Sequence, residues 1–178
     1  CKPACGNGCY QASTVHGTLV LHRRLITRPP RFLFMATSYQ TSRRVEFSDT
    51  DAGGMMHFTA FFRFMEQAEH ALLRELGTSV YTEDEGGTVS WPRVSASCDF
   101  TRAARFEDLL TITLQVARLG RSSVTYECQF HRDNELLASG QIISVCCRLV
   151  PGEPPQSIDI PPGLAEKLLQ YQASDQDT

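Results

Sequence analysis

The chain has 178 residues, a net charge of −3, and 42% hydrophobic against 21% charged residues; that is enough for one globular domain with its own core, and it excludes a low-complexity or fibrous chain. The charge is unevenly placed: Lys2, Arg23, Arg24, Arg28, Arg31, Arg43 and Arg44 all precede the first acid, Glu46, and from Glu46 on 20 acids face ten bases, and an acidic body argues against nucleic-acid binding. No apolar run approaches the roughly 18 residues that a membrane span needs.

Residues 1–34 mix Gly, Pro, Cys and Arg without sustained helical or strand periodicity. They are read as lying outside the fold, either as a basic transit-type leader or as translated upstream sequence, and the chain from Met35 reads like a protein start. Poor order and dispensability are the expectations for this stretch. Cys1, Cys5 and Cys9 are spaced C-x3-C-x3-C, which lacks the paired ligands of a zinc motif, so no metal is expected there. Cys98, Cys128, Cys146 and Cys147 fall in strand-like apolar runs. They read as buried reduced thiols, the usage of a cytoplasmic protein.

The main domain is expected over 35–172. Residues 39–48 form a first strand that breaks at Gly53-Gly54. From there Phe58, Phe61, Phe62, Met65, Ala68, Leu72, Leu73 and Leu76 recur at steps of three and four, the stripe of a long amphipathic helix. Gly77 is a plausible C-cap, and the polar stretch 78–87 reads as a loop or lid. Four alternating runs follow, each with one apolar face: Val94, Ala96, Cys98, Phe100; Leu110, Ile112, Leu114, Val116; Val124, Tyr126, Cys128, Phe130; and Ile143, Val145, Cys147, Leu149. Tight turns at Gly120 and Asp133-Asn134 join them into an expected antiparallel meander. Pro161-Pro162 open a short helix through about Tyr171, and the acidic tail, 173–178, is expected to fray. The fold class is α+β, with one antiparallel sheet of about five strands curled round the single long helix. A sheet so built leaves a face and an edge open, which invites a partner copy.

The chemistry concentrates in 45–76. Asp49 and Asp51 stand just before a helix whose first N–H groups have no intrahelical acceptor. A carboxylate beside the positive end of a helix dipole suits chemistry on a polarised carbonyl. Either acid also fits a capping role, and that is the reading favoured for Asp49.

FSDTDAGGMMHFTAFFRFMEQAEHALL, together with SCDFTRAARFEDLLTI further on, resembles the 4-hydroxybenzoyl-CoA thioesterase family of acyl-CoA thioesterases, across about 39–162. The family's Asp-x-Asp-x-x-Gly segment, aliphatic pair, aromatic or His pair and central helix fall on Asp49, Asp51, Gly54, Met55, Met56, His57 and Phe58. The resemblance implies a hotdog fold and hydrolysis of an acyl-CoA, with coenzyme A as part of the substrate and no further cofactor. It implies Asp51 as nucleophile or general base and the Phe58 backbone N–H as oxyanion donor. Gly54 would permit the close approach. One branch of the family has Tyr then His where this chain has His57 then Phe58, so His57 is expected only to orient. Met55, Phe58, Phe62 and Glu66 are candidates for the acyl pocket, although Glu66 equally suits a contact within the fold or between subunits. Arg118 and Arg121 flank the Gly120 turn and suit either coenzyme A phosphates or solvent. Glu69 and His70 read as helix surface or interface. A homodimer or homotetramer is expected. Two other readings stay open: a non-catalytic acyl-CoA binder, and a hotdog dehydratase built on the His57-Phe58 pair.

Overall fold

The computed structural model describes residues 37–173 and the backbone of two strands, β1 (Gln11–Val15) and β2 (Thr18–His22). Cys1–Phe34 and Met35–Thr178 are separate compact units. In the first, β1 and β2 pair antiparallel, from Gln11 opposite His22 to Val15 opposite Thr18. The sequence reading gave no strand there. The Thr-Leu-Val-Leu run of β2 has the β-branched and apolar residues a strand favours, but in a stretch too short to register as periodicity. The Cys1, Cys5 and Cys9 spacing and the acidic tail from Ser174 lie outside the described residues, as does the expected order of the rest of 1–34.

The second unit is organised on α1 (Phe58–Glu75). Its inward ridge is Phe61, Met65, Ala68 and Leu72, all buried, with Phe64 and Leu73 on the flanks. The expected stripe holds there and shifts at its edges. Phe64 turns in, Phe62 is half-buried, and Phe58, in the first turn, is 56% exposed.

The sheet is five-stranded and antiparallel: β3 (Tyr39–Arg44), β7 (Leu109–Leu119), β8 (Ser123–Arg132), β9 (Glu135–Val145) and β6 (Arg93–Phe100), adjacent in that order. Leu110, Ile112, Leu114, Val116, Val124, Tyr126 and Phe130 bury the face under α1. This is the curled sheet round one helix that the alternating runs imply. Four details differ from that reading. The first strand ends at Arg44 rather than at residue 48, and a 3-10 turn, Phe47–Asp49, replaces its end. Residues 78–87 are not a lid. They carry most of a hairpin, β4 (Tyr81–Asp84) and β5 (Gly87–Ser90), which joins β10 (Cys147–Leu149) and β11 (Gln156–Ser157) in a second small sheet. Arg148 anchors that hairpin through Asp84, whose carboxyl it holds below the usual carboxylate range. The meander is only β7-β8-β9, because β6 pairs with β9 at the far edge and the chain must cross over through 101–108. Finally, β9 faces inward with Ile142 and Ser144 rather than with Ile143 and Val145. The short helix, α2 (Pro162–Leu169), ends near its expected place. Its Lys167 donates to the carbonyl of Leu76 at 2.7 Å, closing the end of α1.

Gly140, in β9, sets how closely α1 sits on the sheet. A methyl group there would lie 2.5 Å from Met65 Sδ and 2.9 Å from the Ser97 carbonyl oxygen. Gly140→Ala is expected to cost about 1–3 kcal/mol, the scale of overpacking. Thermal melting checks it, and an unchanged Tm would show that the spacing is set elsewhere.

Candidate active site

Asp49 holds the loop to the helix. Its Oδ2 accepts the Glu46 N–H at 3.0 Å, its Oδ1 accepts Arg63 Nη2 at 2.8 Å, and its carbonyl accepts the His57 N–H at 2.7 Å. It is buried and every acceptor on it is engaged, so its role is structural, as the capping reading anticipates.

Asp51 is held differently. Its carbonyl accepts the Gly54 N–H at 3.0 Å, and its own N–H donates to the Met55 carbonyl at 2.8 Å. Oδ1 accepts from Gly53 at 2.8 Å and, more weakly, from Met55 at 3.3 Å. This Asx-type turn fixes the side chain. Closing it puts Gly54 at φ +70°, a conformation that favours glycine. Oδ2 has no protein partner among the described residues, and Asp51 lines an open cavity of about 390 Å³ with Met55, Phe58, Phe61 and Phe100.

The helix start is only partly capped. His57 Nδ1 meets Thr59 Oγ1 at 2.7 Å and accepts the Thr59 N–H at 3.3 Å, while the His57 carbonyl accepts the Ala60 N–H at 2.8 Å. His57 is thus the N-cap, its ring stacked at a tilt on Phe58 with centroids 4.5 Å apart. The Phe58 N–H has no acceptor among the described residues. One free helix N–H and one free carboxylate oxygen therefore belong to residues lining the same cavity.

The crossover 101–108 completes the cavity. The Met56 N–H donates to the Ala104 carbonyl at 2.8 Å, and Met55 bridges Arg105. A turn closed by Asp108 holds the segment, with the Arg105 N–H and Arg132 Nη1 each 2.8 Å from Asp108 Oδ2. This wall was not foreseen; the only sequence hint was an eight-residue link too long for a hairpin.

The remaining candidates are dispersed. Phe62 and Glu66 line a second cavity, of about 190 Å³, with Arg93, Ala96 and Ile142. Arg118 and Arg121 stand at the far end of β7, with Arg121 paired to Asp159. Nine residues of strand at about 3.3 Å each put Arg118 about 30 Å from the Leu109 end that adjoins the site. Within one chain they do not reach it.

Glu69 corrects the surface reading. It is 0% exposed, with Arg93 Nη2 at 2.6 Å and Ser144 Oγ at 2.8 Å. Arg93 reaches it because the β6 register slips between Arg93 and Ser95, turning Arg93 to the helix side. Burial first, and then the Glu69 charge, push the Tyr126 phenol well above its usual range. The thiols of Cys98 and Cys146 are pushed up to about 11, chiefly by burial, and Cys128 rises further. None of these cysteines lines the Asp51 cavity.

The sequence model of the thioesterase superfamily matches residues 53–139. That span starts just after Asp51. The 1,4-dihydroxy-2-naphthoyl-CoA hydrolase of Synechococcus elongatus is 30% identical over 109 residues, 61% of this chain and 80% of that protein. The acyl-CoA thioesterase YbgC of Haemophilus influenzae is 29% identical over 104 residues, 58% of this chain and 76% of that protein. Among solved structures, a 1,4-dihydroxy-2-naphthoyl-CoA thioesterase from Synechocystis superposes with a TM-score of 0.64 at 20% identity, over 74% of this chain and 96% of that one; at that identity it speaks for the fold alone.

Proposed function

Because this chain belongs to the thioesterase superfamily and has its hotdog fold, we propose that it hydrolyses an acyl-CoA to a carboxylic acid and coenzyme A, with Asp51 as the reacting carboxylate. The class, thioester hydrolase, follows from the relatives; the residue roles are the proposal. The observation behind them is that Asp51, whose Oδ2 has no partner among the described residues, and Phe58, whose N–H has none there either, line one cavity. A thioester oxygen at Phe58 would be polarised by the helix start. Asp51 Oδ2 then attacks the carbonyl carbon and expels the coenzyme A thiolate, leaving an acyl anhydride for water to open; or it takes a proton from the water that attacks. Either route uses the oxygen that the Asx turn leaves free. His57, with Nδ1 on Thr59, orients the helix start.

The test is thiol release from short, long and aromatic acyl-CoAs by the wild type and by Asp51→Ala. Activity lost in the variant supports the hydrolase. Binding without thiol release in the wild type would favour the acyl-CoA binder, and hydration of an enoyl thioester would favour the dehydratase.

The working form is proposed to be a homodimer or homotetramer. β6 is an edge strand with Val94 and Phe100 exposed, an arrangement that a second copy relieves. Light scattering is expected to give a multiple of the chain mass; a fully active monomer would refute this.

A further inference from the structure

The Asp51 cavity has a floor and a mouth. Met56, Phe61 and Ala104 line it from buried positions, and Met55, Phe58, Phe100 and Arg102 from exposed ones. A thioester whose carbonyl lies between Asp51 and the Phe58 N–H has two halves to place. The buried apolar floor suits the acyl group. The coenzyme A arm carries amide and phosphate oxygens, which would lose their water on that floor without gaining donors, so the arm leaves through the mouth. Besides Asp51, Arg102 is the one charged residue that lines this cavity.

Arg102 stands there on a support. Its side chain is 62% exposed, and its Nε lies 2.8 Å from Glu135 Oε1. Glu135 Oε2 accepts from Arg132 Nη2 at 2.7 Å, and Arg132 Nη1 donates to Asp108 Oδ2 at 2.8 Å. Arg102 and Asp108 stand near the two ends of the crossover 101–108, so the turn between β8 and β9 holds both ends of the cavity wall. Only the Nε edge of Arg102 is engaged; Nη1 and Nη2 have no hydrogen-bond partner among the described residues. The charges around the mouth nearly cancel. Glu107 pairs with Arg44, Asp49 with Arg63 and Asp108 with Arg132, while Glu135 is shared by Arg102 and Arg132. Arg105, bridged to Met55, has no acid partner among the described residues, and Glu46 has no basic one. Asp99 lies on the opposite face of the sheet with Glu127. The mouth therefore offers directed donors rather than a positive field, and a planar guanidinium held by one edge presents them in a fixed fork.

Resting on the thioesterase reading, we propose that Arg102 is a substrate-binding residue that donates to oxygens of the outer coenzyme A arm, the second amide carbonyl or the phosphates, where the arm leaves the cavity. The full chain would be assayed for thiol release as wild type and Arg102→Ala, with one acyl group carried on coenzyme A, on pantetheine and on N-acetylcysteamine. Pantetheine lacks the phosphates, and N-acetylcysteamine keeps only the first amide. On the acyl-CoA, Arg102→Ala is expected to raise KM about tenfold, the scale of one charge-assisted hydrogen bond. Its kcat should stay within about twofold, because the contact is the same in the bound substrate and the transition state. On the N-acetylcysteamine thioester both constants should hold. A loss that persists on pantetheine places the contact at the second amide, and one confined to coenzyme A places it at the phosphates. Ratios of kcat/KM between thioesters within one variant do not depend on how much of it is folded. An unchanged KM on the acyl-CoA, or an equal loss on all three thioesters, would overturn the assignment, whereas thiol release from none of the three by the wild type would overturn the thioesterase reading itself.

Discussion

Asp51→Asn is expected to cut turnover of an acyl-CoA by about a hundredfold or more, the scale of losing a base or nucleophile. The substitution keeps the shape of the side chain, and an amide oxygen can still accept from Gly53 and Met55, the two N–H groups that hold Oδ1. The turn and Gly54 should therefore stay in place. KM is expected to move little, because the substitution leaves the shape of the cavity unchanged. Asp49→Asn is the control. It weakens a pair whose Arg63 partner is half-exposed, so it is expected to cost about 1 kcal/mol of stability and only a small part of the activity. If the two variants exchanged behaviours, the wrong carboxylate has been assigned. If neither lost activity, the mechanism fails although the fold stands.

The turn and helix start were legible because they depend on local rules. Glycines at a chain break and acids before a helix are short-range signals that spacing reveals, whereas the cap turned out to be His57 and not either acid. The apolar faces of β7 and β8 were legible for the same reason, whereas the run in β6 lies on an exposed face. What escaped depends on partners distant in sequence. In β9 the inward position opposite α1 is Ser144, a polar residue present as the partner of Glu69; it breaks the alternation and makes Ile143 and Val145 look like the buried set. Glu69 looked like surface because nothing near it in sequence announces Arg93, and Arg93 faces inward only through a bulge. The same limit applies to β6. Its alternation identified a strand but not its neighbour, and placing it beside β9 sends 101–108 across to wall the Asp51 cavity. Arg118 and Arg121 were attractive as a pair of cations at a turn, yet their distance from the site is fixed by the length and direction of β7.

Arg93→Leu is expected to destabilise the fold by about 3 kcal/mol, the cost of stranding a buried charge, and to lower Tm by roughly 10 °C for a domain of this size. Glu69 has no exposed surface, so without Arg93 its carboxylate keeps only the Ser144 hydroxyl. It then either stays charged in an apolar site or takes up a proton, and both routes cost stability. Glu69→Leu removes the stranded acid and leaves Arg93 with Glu66, on the partly exposed side; its loss should be smaller, because Arg93 reaches solvent and Glu69 does not. The double variant is the decisive measurement. A pair whose desolvation nearly cancels its attraction can be replaced by apolar side chains at little cost, so Arg93→Leu with Glu69→Leu is expected to recover much of what Arg93→Leu alone loses. Additive losses in the cycle would mean that the two side chains act independently and that the short contact between them carries no coupling.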